Sequence, residues 1–270
     1  MDVPDSKACA LLRHTADAAD TADTVDAAVA TRPAVEINLA RLHQLGVVTP
    51  EGGRTSAAED FRIIKRPLLR SVGEASAAGA ANANLIVVTS ALPGEGKTWC
   101  AVNLALSMAM EKDHRVLLVD ADVARPSVLK LLGLAPAPGL MDILLSERLP
   151  LADVMLRTNI ANLSLLPAGR HNLHATELLA SQTMRQLLAD IASRYADRIV
   201  IFDSPPLLLT SEASVLAAQM GQVVLVVESE ATTQRDVREA LRRLDNCPRV
   251  DLICNKTRAF PGDDYYGYYD

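Results

Sequence analysis

The sequence predicts an α/β fold, a mostly parallel sheet flanked by helices on both faces. Two observations carry this. Short apolar runs rich in β-branched residues recur at 85–89, 115–120, 163–166, 198–203, 222–227 and 250–254. Helical segments at 97–112, 175–195, 211–219 and 232–244 separate most of them. Strands that are apolar throughout, rather than alternating, are buried on both faces, as parallel strands joined by covering helices are. Such open sheets bind ligands at the carboxyl ends of their strands, so functional residues are expected just after the runs.

Ahead of the first run the texture differs. Residues 1–33 are rich in Ala, Asp and Thr, and Asp17, Asp20, Asp23 and Asp26 recur every third position between small residues. No stripe of large apolar side chains accompanies them, so an acidic, largely flexible arm is expected over 1–55. Within it, the stretch 35–45 reads as a short amphipathic helix with Ile37, Leu42 and Leu45 near one face and Gly46 at its end. Thr49 to Gly53 is a linker, and a second helix starts near Ser56 and runs through Glu59, Arg62, Lys65 and Arg66. The α/β domain is expected over 56–258, followed by a flexible tail over 259–270. That tail is unusual. The chain has one Trp, three Phe and five Tyr, yet four of those tyrosines (Tyr265, Tyr266, Tyr268 and Tyr269) fall in the last six positions.

Composition narrows the function. The chain has 270 residues, 49% of them hydrophobic, enough for a sizeable core. A formal net charge of −6 argues against a free-standing nucleic-acid binder. The four cysteines, Cys9, Cys100, Cys247 and Cys254, form no Cys-x-x-Cys pair and read as reduced thiols of a cytosolic protein. No run is apolar enough for a signal peptide or a membrane span. His171 and His174 have metal-like spacing but fall in a loop without a carboxylate or thiol partner nearby in sequence, so no metal site is expected there.

The first apolar run leads into Ser90-Ala-Leu-Pro-Gly-Glu-Gly-Lys-Thr98. This matches a phosphate loop, with Ala91 in place of the usual first glycine. Pro93, Gly94, Glu95, Gly96 and Trp99 surround the key pair and are assigned with it to nucleotide binding. Gly94 and Gly96 let backbone N–H groups close on phosphate oxygens, and the following helix adds the positive end of its dipole. Lys97 supplies a charge for the β- and γ-phosphates, and Thr98 a hydroxyl for Mg²⁺. Asp120 and Asp122 follow the second run, and Asp203 ends the run 198–203. Alternation directs Asp120 and Asp122 to one side. A few carboxylates near a nucleotide suffice for Mg²⁺, which keeps several waters.

These residues resemble the bacterial tyrosine kinases, built on the deviant-Walker P-loop NTPase fold of MinD/ParA-like type. More narrowly, the chain resembles the tyrosine autokinases of exopolysaccharide loci associated with exosortase and PEP-CTERM proteins. The likeness covers roughly 35–270 and rests on Pro93-Gly-Glu-Gly-Lys-Thr98, Val119-Asp-Ala-Asp-Val-Ala-Arg-Pro126 and Ile201-Phe-Asp-Ser-Pro-Pro206. Glu59-Asp-Phe-Arg-Ile-Ile-Lys-Arg-Pro67 and the tyrosine cluster complete it. It implies an ATP-dependent protein-tyrosine autokinase that phosphorylates Tyr265, Tyr266, Tyr268 and Tyr269 in trans and regulates exopolysaccharide polymerisation and export. ATP and Mg²⁺ are the implied cofactors. Thr98, Asp122 and Asp203 would hold the metal, Asp120 would take the tyrosine proton, and Asn255 would contact adenine. The implied partners are further copies of the chain in a cyclic homo-oligomer, an octamer being the ring size considered, a tyrosine phosphatase, and a membrane activator of the polysaccharide co-polymerase type. The activator is expected to be a separate protein that recruits a cytoplasmic kinase to the inner face of the membrane.

The helix that packs neighbouring subunits in this family carries Glu-x-x-Arg-x-x-Arg. Here it reads Glu59, Arg62 and Lys65, and lysine does not replace arginine in a bidentate pair. Two rival readings use the same loop. One is a partitioning or cell-division ATPase switch, but Leu92 stands where such proteins carry an extra lysine. The other is a non-catalytic nucleotide-binding regulator of polysaccharide assembly, against which stand the intact Lys97, Thr98 and three aspartates.

Overall fold

The computed structural model describes residues 33–146 and 149–257. The arm before residue 33 and the tail with Tyr265, Tyr266, Tyr268 and Tyr269 lie outside the described residues. Seven strands form one sheet: β1 (Leu85–Ser90), β2 (Arg115–Asp120), β3 (Leu156–Arg157), β4 (Leu163–Leu166), β5 (Arg198–Asp203), β6 (Gln222–Glu228) and β7 (Val250–Asn255). Their order is β3-β4-β2-β5-β1-β6-β7. All pairings are parallel except the short β3–β4 edge, which is antiparallel.

Alternate residues of each strand feed two cores. Leu85, Val87, Leu117, Val119, Val200 and Phe202 enter one, and Ile86, Val88, Val116, Leu118, Ile199 and Ile201 the other. The second core is covered by α1 (Leu39–Gln44), α2 (Ser56–Ala77) and α3 (Lys97–Ala109). The first is covered by α5 (Leu140–Leu145), α7 (Ala175–Leu179), α8 (Gln182–Arg194) and α9 (Glu212–Ala217). The remaining helices are α4 (Val128–Leu132), α6 (Leu151–Val154) and α10 (Gln234–Arg242). Burial on both faces explains why the strands read as unbroken apolar runs.

Several elements differ from the sequence reading. The segment expected in a flexible arm packs on the sheet from Val35 onward: Ile37, Leu42, Val47 and Val48 all lie in the second core. Ile37 precedes α1 rather than sitting on it, and both its backbone groups bond the side chain of Asn159. Leu45 caps α1 and is 48% exposed, so it does not share their face. Just ahead of the linker, the Val48 N–H donates to Asn103 Oδ1 at 2.7 Å. The helix expected over 175–195 is two, because the Ser181 hydroxyl accepts the Met184 N–H and starts α8 afresh. Among the described residues no helix is long and apolar enough to cross a membrane.

Candidate active site

β1 lies between β5 and β6 in the interior of the sheet, and the phosphate loop follows it directly into α3. Gly96 caps α3 at φ +91°, in the left-handed region, and a Cβ there would run into Asn255 Nδ2. Glycine is therefore required twice over. The cap makes no side-chain hydrogen bond, so the first N–H groups of α3 keep their capacity for an anion.

Glu95, assigned to the nucleotide, turns its side chain inward instead. Its carboxylate is buried, accepts the Leu92 N–H at 2.6 Å and accepts the Thr232 hydroxyl. It braces the loop, leaving only its backbone to face a phosphate. Asn255 Nδ2 donates to the Glu95 carbonyl at 2.8 Å, and Lys256 Nζ to the Gly94 carbonyl at 2.8 Å. The end of β7 thus holds the loop from outside.

The carboxylates converge from three directions. Lys97 Nζ donates to Asp122 Oδ2 at 2.8 Å and lies 3.6 Å from Asp203 Oδ1. The Thr98 hydroxyl donates to Asp203 Oδ2 at 2.6 Å and sits 2.8 Å from the Ser127 hydroxyl. Asp120 and Asp203 are register partners on β2 and β5. β2 ends at Asp120, and Asp120 and Asp122 both act on Lys97, as their expected placement on one side requires. Asp120 Oδ2 accepts the N–H groups of Ser127 and Val128, each at 3.0 Å. Among the described residues, Asp120 Oδ1 and Asp203 Oδ1 are buried without a hydrogen-bond partner.

Burial, then the charge of Asp203, pushes Asp120 up to about 7, against the backbone bonds from Val128 and Ser127. Burial likewise pushes Asp203 up to about 6, against the pull of Lys97 and the Thr98 hydroxyl. Burial works to lower Lys97, but Asp203, Asp122 and Asp120 together hold it above the ordinary lysine value. The cluster is thus poised for a ligand that brings compensating charge.

Two cavities open beside Gly96. One, of about 640 Å³, is lined by Lys97, Thr98, Asp122, Arg125, Ser127, Pro206 and Leu209, among others. The other, of about 860 Å³, lies between α2 and the end of β7 and includes Phe61, Trp99, Ile253 and Asn255. Trp99 packs edge-on to Phe61 with ring centroids 5.5 Å apart.

Lys65 departs from its expected place on a subunit interface. It is buried at 4% exposure, donates to the Ser107 carbonyl at 2.6 Å and pairs with Glu111 at 2.6 Å. It fastens α2 to the end of α3 within one chain. Glu59 and Arg62 pair with each other at 2.5 Å and remain on the surface. Ser127, Thr232 and Lys256 belong to the site but were not singled out from the sequence. The sole cue for Ser127 was its place shortly after the paired aspartates.

A family model described as an AAA domain matches residues 83–251. The chain is 32% identical over 186 residues to the tyrosine-protein kinase YwqD of Bacillus subtilis, covering 68% of this chain and 76% of that one. It is 32% identical over 221 residues to the succinoglycan biosynthesis transport protein ExoP of Rhizobium meliloti, covering 79% and 27%. The first relatives it matches are long, and the chain spans about a quarter of their length. Among solved structures it is similar to the kinase domain of the Escherichia coli tyrosine kinase ETK, with a TM-score of 0.69 and 28% identity, covering 77% and 78%.

Proposed function

Since the chain belongs to the AAA-domain P-loop proteins and, within them, to the bacterial tyrosine-protein kinases, we propose that it transfers the γ-phosphoryl group of ATP to tyrosines of its own tail. The observation that carries this reading is the convergence of Lys97, Thr98, Asp122 and Asp203 on one loop at the carboxyl ends of β1, β2 and β5. The N–H groups of the loop and Lys97 bind the β- and γ-phosphates, and Lys97 exchanges a carboxylate for a phosphate when they arrive. Asn255 borders the purine side.

The donor set fits Mg²⁺. Thr98, Asp122 and Asp203 offer only oxygen, and one Asp203 oxygen has no hydrogen-bond partner among the described residues. Among the described residues no three or more His, Cys, Asp or Glu side chains form a cage of their own. That suits a cation held largely by phosphate and water. When bound, it neutralises charge on the β- and γ-phosphates. The tyrosine hydroxyl, with an ordinary pKa of about 10, needs a base. Asp120, at about 7 and with one oxygen unpartnered, suits that task near neutral pH.

The acceptors are Tyr265, Tyr266, Tyr268 and Tyr269, presented by one copy to the next in a ring closed through Glu59 and Arg62. A membrane activator of the polysaccharide co-polymerase type recruits the ring to the inner face of the cell membrane, and a tyrosine phosphatase resets it. The output is control of exopolysaccharide polymerisation and export.

Incubation with ATP and Mg²⁺, followed by detection of phosphotyrosine and free phosphate, tests the reading. Phosphotyrosine should form, and Lys97→Met should lower it by orders of magnitude, because phosphoryl transfer depends on electrostatic stabilisation. Free phosphate without phosphotyrosine would instead indicate an ATPase switch.

A further inference from the structure

The 640 Å³ cavity has a second side that nucleotide chemistry does not use. Beside the phosphate loop, Pro205, Pro206, Leu209 and Thr210 also line it. This wall is fixed. The Leu207 N–H donates to the Ser90 carbonyl at 2.8 Å, the Leu208 N–H to the Ala91 carbonyl at 3.1 Å, and the Thr89 hydroxyl to the Pro205 carbonyl at 2.9 Å. Leu209 is nevertheless 62% exposed, an apolar side chain held over the cavity. Arg125 stands at the same mouth. Its N–H is pinned to Asp122, at 3.1 Å from both the backbone carbonyl and Oδ1. Among the described residues its exposed guanidinium has no ion-pair partner, whereas Lys97 and Asp122 in the same cavity are paired.

An apolar shelf beside a phosphate site, with an unpaired cation at its rim, suits an aromatic ring followed or preceded by carboxylates. We propose that this cavity is the acceptor subsite and that it selects tyrosines in acidic sequence. The ring lies on Pro205, Pro206 and Leu209, while Arg125 pairs with carboxylates just before the accepting residue. The chain supplies such a segment itself, in Asp263-Asp264-Tyr265. The inference rests on the kinase reading. In the step, a bond forms between the tyrosine oxygen and the γ-phosphorus, the bond to the β,γ-bridging oxygen breaks, ADP leaves, and the phenolic proton passes to Asp120.

The test uses the full chain and two peptides, Asp-Asp-Tyr-Tyr-Gly-Tyr-Tyr-Asp and the same peptide with both leading aspartates replaced by asparagine. The acidic peptide should have a KM lower by about fivefold, the scale of a solvent-exposed ion pair. Added salt should shrink the difference. Arg125→Ala should abolish it, and Arg125→Glu should favour a peptide with two leading lysines. Leu209→Ser should raise KM for both peptides by the same factor. Equal KM values in the parent protein, or a preference that survives Arg125→Ala, would overturn the assignment and leave the kinase reading intact. Absence of phosphotyrosine on every peptide and on the tail would overturn the kinase reading and this inference with it.

Discussion

Asp120 carries two demands that pull in opposite directions. It is 1% exposed, faces Asp203 across the strand pair, and keeps one oxygen unpartnered. A carboxyl whose folded pKa is raised holds its proton more tightly when folded. Stability therefore declines as pH climbs from about 4, where the unfolded group ionises, toward the folded value of about 7. Asp120→Asn keeps an oxygen for the Ser127 and Val128 N–H groups and removes the buried charge. Its melting temperature should match the parent near pH 4 and exceed it at pH 8, by a gain that linkage bounds at roughly 4 kcal/mol. Phosphotyrosine formation should fall in the same variant while nucleotide still binds. A stability difference that does not change with pH would show that folding leaves the Asp120 pKa where it is in the unfolded chain.

Helix α2 is where one element serves two masters. Its Lys65 points into the chain, and its Glu59–Arg62 pair points out. Lys65→Met keeps the stem but leaves the Ser107 carbonyl and Glu111 without their cation. It should cost about 1–3 kcal/mol in chemical denaturation. Replacing Glu59 and Arg62 together with Ala should leave stability nearly unchanged and lower the mass seen by light scattering. If Lys65→Met dissociated the assembly without destabilising the chain, its inward geometry would be irrelevant to its role. This helix also marks the reach of sequence reasoning. Its start at Ser56 was legible, because the Thr55 side chain caps it by accepting the Ala58 N–H. Its run to Ala77 was not, since it passes through Pro67. An interior proline costs a helix about 3 kcal/mol. Burial of Leu68 and Val72 beyond it favours continuation. The strands were legible because two-sided burial demands unbroken apolar runs. Helices α4, α5 and α6 have five, six and four residues, too few to show a period. In the site, Lys97, Thr98 and the aspartates were legible because phosphate chemistry restricts the residue types. Thr232 and Lys256 were not, since they meet the loop from 137 and 162 residues away.

At the scale of the whole molecule, the proposed transfer in trans puts the acceptors and the site that modifies them on different copies. Tyr195, the tyrosine outside the tail, is 3% exposed and unsuited to act as an acceptor. Mixing a Lys97→Met chain with an active chain lacking residues 265–270 should place phosphate on the inactive partner's tail. Absence of label there would mean that transfer occurs within one chain. Such an exchange must be followed in time, and the fold provides the means. Trp99 is the chain's single tryptophan, directly after Thr98, and its indole lies edge-on to Phe61 of the helix that bears Glu59 and Arg62. Its intrinsic emission therefore responds to the nucleotide and, in the proposed assembly, to the neighbour. Stopped-flow fluorescence of the unlabelled protein should show a nucleotide phase independent of protein concentration and an assembly phase that scales with it. Phe61→Leu should dim the second signal selectively, so the spectrum of one ring becomes a clock for both events.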